Sequence, residues 1–349
     1  MITKFCSVYA GHVDIEDLGQ EATPINERFL DNEHIVSVFD KTEALARACD
    51  ETGWHSLWFA EHHFQREGYE TIPNILMLAV HLAHLTKHIK LGSAFNVPPM
   101  WHPLRLAEDF AMADILTKGR TIFGIGRGYH TREVEVFGAP LLDQAANRSL
   151  FEEQVEIIFK AFNHPSFSHH GEHYTIPPKV PYRGYELEEI TLVPRPVNRP
   201  VECWQAIVSG NRRGLDLMMK HGIKGFVGGG AASLEEGPIQ AFRDAAARAG
   251  HHYALGEGLC LGLQFYLADT REKALREIKP LFEEHAKMFG PLNFLPMNDA
   301  QKAAVSRRGG WEQAGVPTVE HFIEQGSWFA GTADDLVERL KMLEEKFPE

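Results

Sequence analysis

The segment Trp58-Phe59-Ala60-Glu61-His62-His63-Phe64 places a carboxylate and two imidazoles directly after a short apolar run. Such a run reads as a buried strand. Titratable groups at its C-terminal end sit where parallel α/β sheets keep their reactive groups. Histidine exchanges protons near neutral pH, so the motif suits general acid–base work. Side chains alternate along a strand, so His62 is expected to face away from Glu61 and His63. On the residues alone, the alternative is packing histidines bonded to backbone.

Two further segments could hold an anion. Gly124-Ile125-Gly126-Arg127-Gly128 ends a strand in small residues that let a ligand approach the backbone, with Arg127 offering a fork of donors. It lacks full GxGxxG spacing, so a dinucleotide fingerprint is a weak reading, and a tight turn with a surface arginine is the bland one. Ser209-Gly210-Asn211-Arg212 opens a helix whose free amides attract anions, although serine caps helices without any ligand. Gly228-Gly229-Gly230 either borders a ligand or forms a flexible turn. His81, His84 and His88 share a helix face, and His169, His170 and His173 share a proline-rich stretch. Neither set carries the carboxylate spacing of a metal site, so no metal is expected. Cys6, Cys49, Cys203 and Cys260 are scattered without a CxxC pair and read as reduced, mostly buried thiols.

The elements that must position these groups alternate along the chain. Strands are expected at Lys4–Tyr9, Ser56–Ala60, Ile89–Ala94, Thr121–Ile125, Val201–Val208, Lys224–Val227 and Leu259–Leu267. Helices are expected at His34–Thr52, Pro73–Leu85, Pro103 to just before Gly119, Asn147–Phe162, Asn211–His221, Leu234–Ala249, Arg271–Phe289 and Thr332–Phe347. Pro165–Pro200 holds seven prolines and short β-like pieces, and reads as an inserted hairpin. Gly290–Ala330 reads as a long, mostly irregular stretch of the kind that forms mobile lids. Seven β-then-α units predict a (β/α)8 barrel in a single domain spanning residues 1–349. An eighth unit is expected after Phe347, where almost no residues remain, so either the chain is truncated or another segment closes the barrel.

Composition narrows the class. The 349 residues are 44% hydrophobic and 24% charged, as in an ordinary globular protein. The formal charge of −13, from 35 basic and 48 acidic residues with no long basic cluster, argues against nucleic-acid binding. No apolar run reaches bilayer-spanning length and the N-terminus has no signal-peptide pattern, so a cytoplasmic protein without membrane partners is expected.

The chain resembles the bacterial luciferase-like flavin monooxygenases. The likeness rests on WFAEHHF at Trp58–Phe64, on Leu91-Gly92-Ser93-Ala94, and on His102–Gly138 with its HP, AE, D, GR, G-x-G-R-G-x, E and FG pattern. It is specific over roughly residues 54–138 and weaker through Val201–Val227 and the closing Gly331-Thr332 helix. The resemblance implies a TIM barrel that binds reduced FMN at the strand C-termini, receives it from a separate flavin reductase, and oxygenates a small organic substrate with O2. It implies that His62 moves protons beside Glu61 and His63. It also implies that Ala94-Phe95 forms a bulge, often a non-prolyl cis peptide, against the flavin ring. Arg127 matches a phosphate-binding arginine and Ser209 a phosphate-contacting serine, with Gly128, Gly210 and Arg212 adjoining. Members often dimerise through helices on the barrel's side. Luciferases proper have Cys where this chain has Gly126, and Glu where it has Val208, which argues against light emission. The loop Gly11–Glu33 is also longer and reshapes the substrate mouth. A deazaflavin F420-dependent oxidoreductase and a non-catalytic flavin-binding paralogue are the alternatives on the same barrel. Phe294, Leu295, Trp311 and Trp328 in the lid hint at a hydrophobic substrate, against plain lid packing.

Overall fold

A computed structural model describes residue 2, residues 4–228 and residues 237–347. Gly229, Gly230 and the first residues of the helix expected from Leu234 lie outside these. Seven parallel strands form one sheet in the order Cys6–Tyr9, Ser56–Phe59, Lys90–Ser93, Thr121–Ile125, Cys203–Ala206, Lys224–Val227 and Leu259–Leu261. Each ladder is parallel, with Trp58 opposite Val8 and Gly92, and Gly124 opposite Trp204. The sheet curls into an open half-barrel, as expected for the luciferase-like TIM-barrel class.

The helices lie where capping chemistry starts them. Asp31, Asn74, Asp143, Asn211 and Thr270 each accept a backbone N–H of the first turn of the helix that follows. Pro103 occupies the first turn of Pro103–Leu116, where no amide is needed. Buried faces of Pro103–Leu116 and Gln144–Asn163 pack Leu106, Phe110, Phe151, Val155 and Phe162 against Phe123 of the fourth strand. Among the described residues, no helix is long and apolar enough to cross a membrane.

Three expectations change. The strand read as Leu259–Leu267 breaks at Gly262-Leu263, and its second half, Gln264–Leu267, pairs in parallel with Trp328–Gly331. That segment supplies an eighth parallel strand before Phe347, and Ala333–Lys346, capped by Thr332, is the helix that follows it. The apolar run Trp328-Phe329-Ala330 was hidden by the irregular look of its surroundings. Finally, Gly290–Ala330 is folded. Helices Asp299–Val305, Trp311–Ala314 and Val319–Glu324 bury Ala304, Val305, Trp311, Val319 and Phe322 against helix Arg271–Phe289. The insertion forms two antiparallel pairs, His169–His170 with Thr175–Ile176 and Pro181–Tyr182 with Tyr185–Glu186.

Candidate active site

A cavity of about 1000 Å³ opens at the C-terminal ends of the strands. His62, Ala94, Phe95, Arg127, Gly128 and Ser209 line it. Glu61, His63, Gly210 and Arg212 are not among its lining residues. Alternation along the strand accounts for the first two. The Glu61 carboxylate accepts the Val97 amide at 2.8 Å and the Trp101 indole N–H at 2.7 Å, so it fixes the segment after the third strand. His63 lies 3.3 Å from Glu61 and packs edge-on against Phe137. Arg212 points to Asp216 on its own helix.

The third strand ends in a cis peptide between Ala94 and Phe95. Its neighbours hold it on both sides: Ala94 N–H donates to Phe59 O at 2.6 Å and Asn96 N–H to Gly124 O at 2.9 Å. This close approach requires glycine at position 124, since a Cβ there would lie 1.8 Å from Ser93 O. Gly128 has φ +81°, and a Cβ on it would meet Val134 at 2.5 Å.

Arg127 and Arg148 both face the cavity. Neither has a carboxylate within ion-pair distance among the described residues. Arg127 is oriented by Asn147 Oδ1 at 3.0 Å. Burial, and then the like charge of Arg148, lower its pKa. Two cations near one another, with Glu152 the opposing charge felt by Arg127 but no ion pair made to it, suit a phosphate. Ser209 and Asn211, at the N-terminus of helix Arg212–His221, also line the cavity.

His62, also in the cavity wall, is clamped between carboxylates. Its Nδ1 lies 3.1 Å from Glu133 Oε1 and its Nε2 3.2 Å from Glu70 Oε1. Tyr129 OH lies 3.1 Å from His62 Nε2 and donates to Glu70 at 3.0 Å, while His130 Nε2 lies 3.2 Å from Glu70. Gln65 Nε2 donates to Glu133 at 2.9 Å. Burial lowers the pKa of His62, but the charges of Glu70, Glu133 and Glu61 outweigh it and raise the value above normal. Burial raises Glu133, but its bond to His62 and the imidazolium charge bring it below the usual carboxylate range. Burial and Glu70 push Tyr129 well up, so its hydroxyl stays protonated. The flanking carboxylates favour the protonated imidazole, with the Tyr129 hydroxyl and the cavity beside its Nε2. Ligand atoms of His62, Glu70 and His130 lie within 4.8 Å of one another, but these groups already bond one another, which suits proton transfer better than metal holding.

Above the cavity, rings form a continuous wall: Tyr129–Phe294 at 4.7 Å, Phe294–Phe289 at 5.7 Å, Phe289–His285 at 4.5 Å and His285–Trp328 at 5.1 Å. Burial pushes His285 down to about 3, so it is neutral. Of the four lid residues singled out in the sequence, Phe294 and Trp328 line the cavity, whereas Leu295 and Trp311 belong to the buried cluster beside it. Helix Arg271–Phe289, which carries His285 and Phe289, is tied to the loop after the first strand by a buried ionic knot. Glu284 accepts from Arg28 at 2.9 Å, Lys287 at 2.7 Å and the Gly19 amide at 3.0 Å, and also from Tyr69.

Sequence reasoning overlooked Arg148, Glu70, Tyr129, Glu133 and His130. Glu133 and Tyr129 sit inside the stretch Gly126–Gly138 that carries the resemblance, so that pattern pointed to them. Glu70 and Arg148 had no comparable signal.

The sequence pattern described as luciferase-like monooxygenase matches residues 19–348. The chain belongs to that family. Among curated relatives, it is 30% identical over 174 residues to the oxygenase component of a flavin-dependent trigonelline monooxygenase from Acinetobacter baylyi, covering 50% of this chain and 44% of that protein. It is 33% identical over 133 residues to an alkanal monooxygenase alpha chain from a Kryptophanaron alfredi symbiont, covering 38% and 36%. The matched stretches thus span less than half of these relatives. Among solved structures, the oxygenating constituent of 3,6-diketocamphane monooxygenase from Pseudomonas putida, in complex with FMN, superposes with a TM-score of 0.70 at 19% identity, covering 99% of this chain and 89% of that one. An F420-dependent secondary alcohol dehydrogenase superposes with a TM-score of 0.66 at 14% identity, covering 98% and 91%. At these identities the likeness speaks to the fold, which serves both kinds of cofactor.

Proposed function

We propose that the chain is the oxygenase of a two-component flavin monooxygenase, taking reduced FMN from a separate reductase and using O2 to oxygenate a small hydrophobic organic substrate. The observation that carries this reading is one cavity lined both by two guanidiniums that make no ion pair among the described residues and by an imidazole clamped between two carboxylates. Arg127, Arg148 and Ser209 would hold the phosphate of FMN. Ala94-Phe95 and Gly128 would border the ring system. When bound, the reduced flavin supplies the electrons that activate O2. His62 holds or returns a proton beside it, Glu133 and Glu70 keep that imidazole oriented, and the wall of Phe289, Phe294 and Trp328 excludes water and takes the apolar substrate. The relative from Acinetobacter baylyi, an oxygenase component, supports the two-component assignment. Glu61 and His63 act by positioning the strand end, and Gly210 and Arg212 by shaping the helix start beside the phosphate.

The chain is read as one barrel domain working in the cytoplasm. Exposed Met77, Met112, Ile115 and Leu116, on two adjacent helices, form the face for a second copy, measurable by light scattering.

Oxygen uptake and product formation with FMNH2 over a panel of small apolar substrates test the function. Substrate-dependent uptake with an oxygenated product supports it. Selective binding of reduced F420 assigns the barrel to the dehydrogenase alternative, and tight FMN binding with no turnover assigns it to a non-catalytic paralogue.

A further inference from the structure

The two outermost strands of the seven-stranded sheet, Cys6–Tyr9 and Leu259–Leu261, each pair on one side only. Across the open side of the sheet, one side chain from each strand meets the other, sulfur on sulfur. Cys6 Sγ and Cys260 Sγ lie 3.4 Å apart across 254 residues of chain. Both side chains line the cavity, so small solutes reach them. Cys49 and Cys203 are buried elsewhere in the core.

We propose that Cys6 and Cys260 form a dithiol site that reacts with hydroperoxides, hydrogen peroxide in particular, and closes to a disulfide between the two edge strands.

The chemistry follows from the contact. A thiolate is the nucleophile, and a hydrogen bond to it favours that form. At this contact either sulfur can donate to the other, so the thiol that gives up its proton is held as thiolate by its partner's S–H. The contact lowers the pKa of Cys6, and in the proposed step Cys6 attacks and Cys260 resolves. Cys6 thiolate displaces hydroxide from hydrogen peroxide, and the O–O bond breaks as an S–O bond forms. The sulfur is oxidised to a sulfenic acid and the peroxide is reduced to water once the hydroxide takes up a proton. Cys260 sulfur then attacks the sulfenic sulfur, its proton leaves with the departing hydroxyl as a second water, and the S–S bond forms. In sum, two thiols and one peroxide give one disulfide and two waters. The sulfurs need to close from 3.4 Å to about 2.05 Å, a movement within the reach of two rotatable side chains on edge strands. Burial raises Cys203 strongly and Cys49 also, which withholds both from the reaction. The site stands on the cysteine geometry alone and does not depend on the cofactor assignment.

The test uses the full chain, reduced and then treated with a small excess of hydrogen peroxide, alkylated, digested and analysed by mass spectrometry. The expected result is one intrachain cross-link between the peptides carrying Cys6 and Cys260, with Cys49 and Cys203 alkylated as in untreated protein. Two of the four thiols then vanish from a denatured thiol titration and return with a reductant. In Cys260→Ser, Cys6 is captured as a sulfenic acid by dimedone; in Cys6→Ser, Cys260 oxidises about tenfold more slowly or less. Four surviving thiols, oxidation of Cys6 to sulfinic acid without a cross-link, or equal oxidation of Cys49 and Cys203 would overturn the proposal. If a serine variant fails to fold, the cross-link in the unaltered chain decides alone.

Discussion

Glu284→Gln removes one charge from the knot that holds helix Arg271–Phe289 over the cavity, and its cost can be worked from the contacts. Glu284 is the shared partner of Arg28 and Lys287, which are 4% and 1% exposed. Arg28 keeps carbonyl partners at Asp17 and Thr23. The ammonium of Lys287 bonds to Glu284 and, among the described residues, to nothing else. The substitution therefore leaves that buried cation without its bonded carboxylate, which costs about 3–5 kcal/mol. An unfolding entropy of about 2.1 cal/mol/K per residue gives roughly 0.7 kcal/mol/K for a chain of this length, so Tm should fall by about 4–7 °C. Calorimetry at pH 7 reads this directly. Adding Lys287→Met removes that charge and should return about half of the loss or more. The pH dependence has a definite sign. Burial raises Glu284, but its bonds to Arg28, Lys287 and Tyr69 bring its folded pKa below the usual value. Its stabilisation is thus complete above the unfolded carboxyl range and fades as pH falls through the lowered folded value, a slope that Glu284→Gln should lack. A Tm within 1 °C of the parent, or no recovery in the double variant, would refute the reasoning.

Arg148→Ala and Arg127→Ala should each weaken FMN binding by about 10- to 150-fold, the equivalent of a charge-assisted contact of about 1.5–3 kcal/mol, and titration calorimetry checks both. His62→Asn should slow oxygenation in stopped-flow assays while flavin affinity stays near normal; a collapse of affinity alone would make His62 a binding residue. Glu133→Gln removes a carboxylate that raises His62, so the pH–rate limb set by the imidazole should move to lower pH. Gly124→Ala should destabilise by about 3 kcal/mol or more, because its Cβ would strike backbone that cannot turn aside; unfolding by urea measures it.

What the sequence showed and hid follows physical lines. Period-two alternation separated His62 from Glu61 and His63, and the cavity receives His62 while Glu61 turns to Val97 and Trp101. Those partners lie 36 and 40 residues away, so no local pattern could reveal that the carboxylate was already engaged. Strands such as Thr121–Ile125 and Lys224–Val227 were legible to the residue, since short apolar runs between turn residues leave little freedom. Trp328–Gly331 has the same character but follows three short helices that break any periodicity. Arg148 reads as one more charge on an amphipathic helix until the turn at Gly126–Gly128 sets Arg127 beside it. Cys6 and Cys260 look unrelated until their side chains meet across the open side of the sheet.

The central claim is that one cavity holds FMN with its phosphate at the paired arginines and its ring beside His62. A crystal structure grown with FMN tests this most directly. The account predicts phosphate oxygens bonded to Arg127, Arg148 and Ser209, and the ring system against Ala94-Phe95 within reach of His62. Flavin bound elsewhere, or bound here with its phosphate away from both guanidiniums, would contradict it.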